Sequence, residues 1–203
     1  MPSSAIASSK RMPWSWVMVA ILGIFALTAG VELSMGRLLL GPDGKFGWWE
    51  GDIWSAENSQ RFADPYSFSH LTHGFLFYAF FWFISRKLPM RQRLLMAVCL
   101  EASWEMLENS PLIINRYRHA TIALGYEGDS VLNSMSDILM MVIGFLLASR
   151  WRLWVCVVAI LLMELGCLFY VRDNLTLNVI MLIHPVAAIK AWQEAGAPPG
   201  TPK

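Results

Sequence analysis

The chain has 203 residues, of which 56% are hydrophobic and 15% charged, with a mean hydropathy of +0.45 and a formal net charge of +1. A soluble domain carries about 25% charged residues, so this composition excludes an ordinary soluble globular protein, and the lack of a basic stripe excludes a nucleic-acid binder. Cys99, Cys156 and Cys167 all fall inside apolar runs and form no Cys/His pattern of a structural zinc.

The expected fold is an all-α, polytopic transmembrane helix bundle forming one domain over residues 1–192, with a disordered tail at 193–203. Residues 1–13 are short, Ser-rich and basic, and the apolar run after them has no small-residue cleavage site leading into a soluble domain. That run, 14–33, reads as an uncleaved first helix. Further spans are expected at 70–84, 94–114, 130–149 and 153–171, and a shorter run at 174–189 carries Pro185. Crossing a bilayer takes about 20 apolar residues, so the expectation is six spans, or five if the last run does not cross.

Positive charge sets the expected orientation. Lys10 and Arg11 precede the first span, and Arg86, Lys87, Arg91 and Arg93 crowd the link between the second and third. Arg150 and Arg152 lie between the fourth and fifth, and Lys190 follows the last. Cytoplasmic links carry the Lys/Arg excess, which puts both termini in the cytoplasm of a six-span protein. The link 41–69, with Asp43, Glu50, Asp52, Glu57 and Asp64, then lies outside, and 48–62 is expected to form a short surface helix. The link 115–129 also lies outside.

The third span holds Glu101, Glu105 and Glu108 at i, i+4 and i+7, on one face of a helix. The fourth begins with Asp129, Asn133 and Asp137 at i, i+4 and i+8, also on one face. Helical rise puts Glu105 and Asp137 at similar depths, with His70 and His73 entering from the outer end of the second span. Carboxylates at membrane depth cost about 2.5–3.5 kcal/mol each on insertion scales and face a protein interior or a watered cavity. Glu101, Glu105, Asp137 and His73 are therefore the candidate acid–base residues, with Glu105 facing Asp137 and His73 above them. The plain alternatives are interfacial histidines, an N-cap at Asp129-Ser130, and a polar network that only fixes helix packing.

Arg116 and Arg118 lie outside, against the positive-inside trend. They are read either as holding an anionic lipid headgroup or as bridging to the acidic link. Asn109, Asn133 and Asp129 complete the candidate binding set. His70, His73 and Glu108 are candidate ligands for a divalent transition metal, on a weak spacing signal that includes no His-Glu-x-x-His pair.

The segments Asn58-Ser-Gln60, Asp64-Pro-Tyr-Ser67, Ser69-His-Leu-Thr-His-Gly74, Glu101-Ala-Ser-Trp-Glu-Met-Leu-Glu-Asn109, Tyr117-Arg118 and Tyr126-Glu-Gly-Asp-Ser130, followed by Asn133-Ser134 and Asp137, resemble one family. It is uncharacterised protein family 0314, also called domain of unknown function 2585: small multi-pass inner-membrane proteins of alphaproteobacteria. The resemblance runs from about Trp14 to Trp192. It implies a bacterial inner-membrane location and brings no catalytic residues with it. A looser likeness is to VanZ-type membrane proteins, which also place a His, then Glu, then Asp and Asn on successive spans, in a different order and spacing.

These readings favour a membrane-embedded enzyme or binding protein for a lipid or lipid-linked envelope molecule. A small proton-coupled carrier is the second reading and a non-catalytic assembly factor the third. No inverted repeat supports the carrier, and the sequence leaves the oligomeric state open.

Overall fold

The computed structural model describes residues 12–123 and 125–199, so Lys10, Arg11 and the end of the expected tail lie outside the described residues. The described residues form eight α-helices and no strand beyond one isolated bridge, Trp49 to Ala63. They are α1 (Trp14–Ser34), α2 (Ser67–Ile84), α3 (Met90–Glu108), α4 (Pro111–Ala120), α5 (Val131–Ala148), α6 (Leu153–Val171), α7 (Leu175–Ile183) and α8 (Ala187–Glu194). Three of them, α1, α5 and α6, are long and apolar enough to cross a membrane.

The centre of the bundle is the pairing of α2 with α5. Gly74 and Gly144 face each other there. A Cβ on Gly74 would come 2.1 Å from the Met141 carbonyl oxygen, and one on Gly144 2.1 Å from that of Leu71. Only glycine allows backbones this close, the device by which helices in lipid pack without a hydrophobic driving force. On one side, Val17 and Ile21 of α1 and Leu94, Ala97 and Val98 of α3 join Ile138, Met141 and Phe145 of α5 in a fully packed core. On the other, α6 meets α2 through Phe75, Ala148 and Cys156. The outward face of α6 stays apolar and uncovered, with Leu162 66% and Phe169 83% exposed, as a lipid-facing helix requires.

One end of the bundle gathers the buried carboxylates and both histidines of α2. The end of α1, the starts of α2 and α5, and the break between α3 and α4 meet there: Val131 N–H donates to Leu38 O at 2.8 Å and Ser130 N–H to Ser59 O at 2.9 Å. Ser130 caps α5 by accepting from the Asn133 N–H.

Four expectations are corrected. The span expected at 94–114 breaks after Glu108, and Pro111, which suits a first helical position, opens α4 as a separate helix. The run 174–189 is not one continuous helix. It is nine-residue α7, about 13 Å long at the helical rise, then a turn at Pro185 and eight-residue α8. Gln193 Nε2 comes back to donate to Arg172 O and Asp173 Oδ1, both at 3.0 Å, so this hairpin re-enters the end it left. Gln193 and Glu194, expected in the tail, belong to α8, and Gln193 is buried. Finally, 48–62 is a series of turns and not a helix. Glu50, Asp52 and Ser55 each accept from the backbone N–H two residues on, a local alternative that competes with helical bonding.

Candidate functional site

The site begins where the chain enters α2. Buried Asp64 accepts from the N–H groups of Tyr66 (2.7 Å) and Ser67 (3.2 Å) and, on its other oxygen, from Ser59 (3.0 Å). This fixes the first turn of α2. Ser67 Oγ then donates to Asp137 Oδ1 of α5 at 3.1 Å. One turn further, His70 stands at the hub. Its Nδ1 lies 2.7 Å from Glu101 Oε1 and 3.3 Å from Glu105 Oε1, and its Nε2 lies 3.8 Å from Asp137 Oδ2. His73, another turn along, sets its Nδ1 3.0 and 3.1 Å from the two oxygens of Glu101 and stacks on Phe77.

Glu101 and Glu105 are fully buried, as Asp137 nearly is. Neither oxygen of Glu105 has a hydrogen-bond partner among the described residues. Among the described residues no arginine or lysine lies against these carboxylates, and the groups that can pair with them as cations are His70 and His73. Two groups of side chains bring ligand atoms close enough for one metal ion: His70, His73 and Glu101, and His70, Glu105 and Glu108.

The cluster forms the floor of a cavity of about 310 Å³. Asp129, Asn133 and Glu108 continue its polar side, while Phe77, Leu100, Trp104, Val179 and Leu182 make an apolar wall contributed by α2, α3 and α7. Tyr117 and Tyr126 pack edge to face at its margin. Burial pushes the Asp129 carboxyl well above the usual range, reinforced by Glu108 and Asp137 beside it. Burial also raises Asp173, across the cavity, to about 6 against lowering by bonds from the Asn174 N–H and Gln193.

Several expected residues meet as anticipated and others take different roles. Glu101, Glu105, His70, His73 and Asp137 converge, but His70 occupies the centre and His73 lies deeper, against Glu101, so His73 does not sit above Glu105 and Asp137. Glu108 shares a ligand group with His70 and not with His73. Asn109 is a brace: its Nδ2 donates to Asp129 Oδ2 and Ser134 Oγ, and its Oδ1 accepts from the Asp129 N–H at 2.7 Å. Asn133 ties the outer segment down through Arg61 O at 2.9 Å. Arg116 and Arg118 do not reach the cavity. Arg116 donates to Leu182 O (2.8 Å) and Ile183 O (3.3 Å), capping the free carbonyls at the end of α7. Arg118 donates to Tyr126 O. The acidic link finds its cation in Arg61, paired with Asp43 and Glu57. The sequence reading missed the parts of Asp64 and Ser67. Their signal was an Asp three residues before a Ser at a helix start, a capping pattern.

The model of the family described as "Protein of unknown function (DUF2585)" matches residues 32–195. The chain belongs to the DUF2585 family. Among relatives, a UPF0314 protein of Sphingopyxis alaskensis is 50% identical over 181 residues, covering 89% of this chain and 95% of the relative. A UPF0314 protein of Sinorhizobium fredii is 47% identical over 184 residues, 91% and 93% of the two chains. One of Agrobacterium fabrum is 45% identical over 195 residues, 96% and 98%. No solved structure matches the chain. The DUF2585 match takes in every residue of the cluster from Asp64 to Asp137.

Proposed function

We propose that this DUF2585 protein is a bacterial inner-membrane protein that binds and acts on the polar end of a lipid or lipid-linked envelope molecule. The observation that carries this reading is the cavity. An apolar wall of Leu100, Trp104, Val179 and Leu182 leads to a floor of His70, Asp137 and Glu108. A site of this kind, mostly apolar with a few convergent polar groups, is what a long-chain amphiphile needs. In this reading α1, α2, α3, α5 and α6 cross the membrane. The Arg86–Lys87–Arg91–Arg93 link is cytoplasmic, and the cavity with the α7–α8 hairpin faces the outer side. Asp137, which lines the cavity beside His70, serves as the proton-transferring group with Glu105 behind them, since catalytic proton transfer needs a carboxylate or imidazole within hydrogen-bond reach of the substrate. A carrier is less well supported. Past Asp137, α5 continues as Ile138, Met141 and Phe145, all 0% exposed, and no polar path leads through the core among the described residues.

The test is to reconstitute the purified protein in nanodiscs with total envelope lipid and identify retained and altered species by mass spectrometry. Wild type is expected to retain a specific class and the cavity-filling variants Leu100→Trp and Leu182→Trp to lose it, with Asp137→Asn retaining the class but leaving it unaltered. Identical lipid profiles for wild type and both tryptophan variants would sink the reading.

A further inference from the structure

The cluster under the cavity has an unbalanced charge pattern. Glu101, Glu105 and Asp137 are at most 3% exposed, and what faces them is two imidazoles and the Ser67 hydroxyl. Two neutral histidines each donating from Nδ1 satisfy Glu101 alone. Glu105, fully enclosed, is left with both oxygens unbonded and His70 Nδ1, already turned to Glu101, 3.3 Å away. A buried carboxylate in this setting is either protonated or matched by a cation.

The ligand atoms around Glu101 lie within reach of one small divalent ion, all within 4.8 Å of one another, the 2.7 Å contact lengthening when an ion replaces its proton. Metal–ligand distances of roughly 2.0–2.2 Å put neighbouring ligand atoms roughly 3–3.5 Å apart. The contacts of Glu101 Oε1 with His70 Nδ1 and His73 Nδ1 are 2.7 and 3.0 Å, and Glu105 Oε1 lies 3.3 Å from the same His70 nitrogen. His70 and His73, at i and i+3, present both nitrogens from one helix face. When Nδ1 holds a metal, the proton sits on Nε2 and is usually given to a carboxylate that orients the ring. His70 Nε2 faces Asp137 Oδ2, and Ser67 in turn fixes Asp137.

We propose that His70 Nδ1, His73 Nδ1 and the Glu101 carboxylate bind one divalent transition-metal ion, with Glu105 closing its inner side and Asp137 acting as a positioning residue through His70. Two imidazoles and a carboxylate suit Zn²⁺ or Fe²⁺ with coordination positions left open. Those positions face the cavity, which both histidines line. Among the described residues no arginine or lysine lines the cavity, so the ion supplies a fixed positive charge there. It directs the site toward amphiphiles ending in an oxygen donor: phosphoryl, carboxylate or hydroxyl. This deepens the reading above and concerns the same cavity.

The experiment strips detergent-purified full-length protein with a chelator, reloads it with Zn²⁺ or, anaerobically, Fe²⁺, removes excess and measures bound metal. The wild type should hold about one ion per chain, as one such site would. His73→Ala and Glu101→Gln should lose it, and Asp137→Asn should bind about 10–100-fold more weakly, the usual cost of removing an orienting partner. Co²⁺ loading of the wild type adds a readout that needs no variant to fold: visible d–d absorption is expected, and its absence would overturn the proposal. So would substoichiometric metal in the reloaded wild type, or unchanged binding in well-folded His73→Ala and Glu101→Gln. Lipid retention is measured on the same samples. Lipid without metal overturns only the metal site, and metal without lipid overturns only the amphiphile reading.

Discussion

Two acidic clusters lie at the same end of this molecule and are held in opposite ways. In the outer segment, Arg61 reaches Asp43 at 3.1 Å and Glu57 at 3.0 Å, in contact with solvent, and also donates to Lys45 O. The Arg61 guanidinium holds the Asp43 carboxyl below its usual range. Inside the bundle, Glu101, Glu105 and Asp137 surround His70 with no guanidinium or ammonium beside them among the described residues. A permanent cation makes the first cluster self-sufficient. The second has only titratable partners, which leaves it able to take up a proton or a metal ion. A site built for stability alone would place an Arg where His70 stands.

The largest effect is expected from His70→Leu. It removes the hub and leaves three buried carboxylates facing an alkyl group. Breaking a buried ion pair by deleting one partner costs about 3–5 kcal/mol. Thermal unfolding in detergent should show a large loss or no folded protein. A stability equal to wild type would mean that the carboxylates are neutral and that the contrast between the clusters is false.

How much of this was legible beforehand depends on what each inference needed. The face shared by Glu101, Glu105 and Glu108, and that shared by Asp129, Asn133 and Asp137, follow from helical spacing alone. Both proved to point at one site, as did both histidines. The choice of His70 over His73 as the hub was not available, because it depends on the rotation of α2, which the Gly74–Gly144 approach to α5 sets. Two glycines a long way apart in sequence do not announce that they touch. The α7–α8 hairpin was hidden for a similar reason: 174–189 is apolar enough to read as a span, and what turns it back is the pairing of Gln193 with Asp173 and of Arg116 with the α7 carbonyls. Arg116 looked like a ligand-binding residue because the carbonyls it caps lie 66 and 67 positions away.

Asp173 offers an intermediate case, a buried carboxylate whose partners are all neutral: the Asn174 N–H, Gln193 and Tyr66. Burial lifts it from 3.8 to about 6, so the folded protein holds this proton more tightly than the unfolded chain does. Below about pH 4 both states are protonated and nothing is lost. As pH rises through that value towards 6 the unfolded chain gains by ionising first, and stability falls, levelling off above 6. At roughly 1.4 kcal/mol per pH unit, the full drop is on the order of 2–3 kcal/mol. Unfolding measured across this window should show the fall in wild type, and Asp173→Asn should flatten it. A pH dependence unchanged in Asp173→Asn would assign it to another group.

Glu105→Gln separates the proton from the metal. Without metal, the amide removes a buried charge that has no donor and should stabilise the protein by about 1–3 kcal/mol, the range for an unsatisfied buried polar group. After loading with Zn²⁺ the order should reverse, because a ligand that binds only the folded state adds stability in proportion to its affinity and the wild type offers the ion the extra charge. Equal metal-induced shifts in the two proteins would place Glu105 outside the ion's surroundings.

The smallest effect is expected from Arg61→Gln. The pairs it breaks reach solvent, where double-mutant measurements of exposed pairs find little or nothing, and the Arg61 carbonyl that Asn133 grips belongs to the backbone and survives the change. The unfolding temperature should barely move in dilute buffer and not at all at about 0.5 M salt, where exposed charges are screened within a few ångströms. His70→Leu should be equally damaging at both salt concentrations, since its carboxylates are shielded from ions by the bundle. If Arg61→Gln instead proved as harmful as His70→Leu and equally indifferent to salt, the outer segment would be part of the bundle's core and not a surface laid over it. The two clusters would then differ in depth only, and the absence of a permanent cation around His70 would no longer single it out.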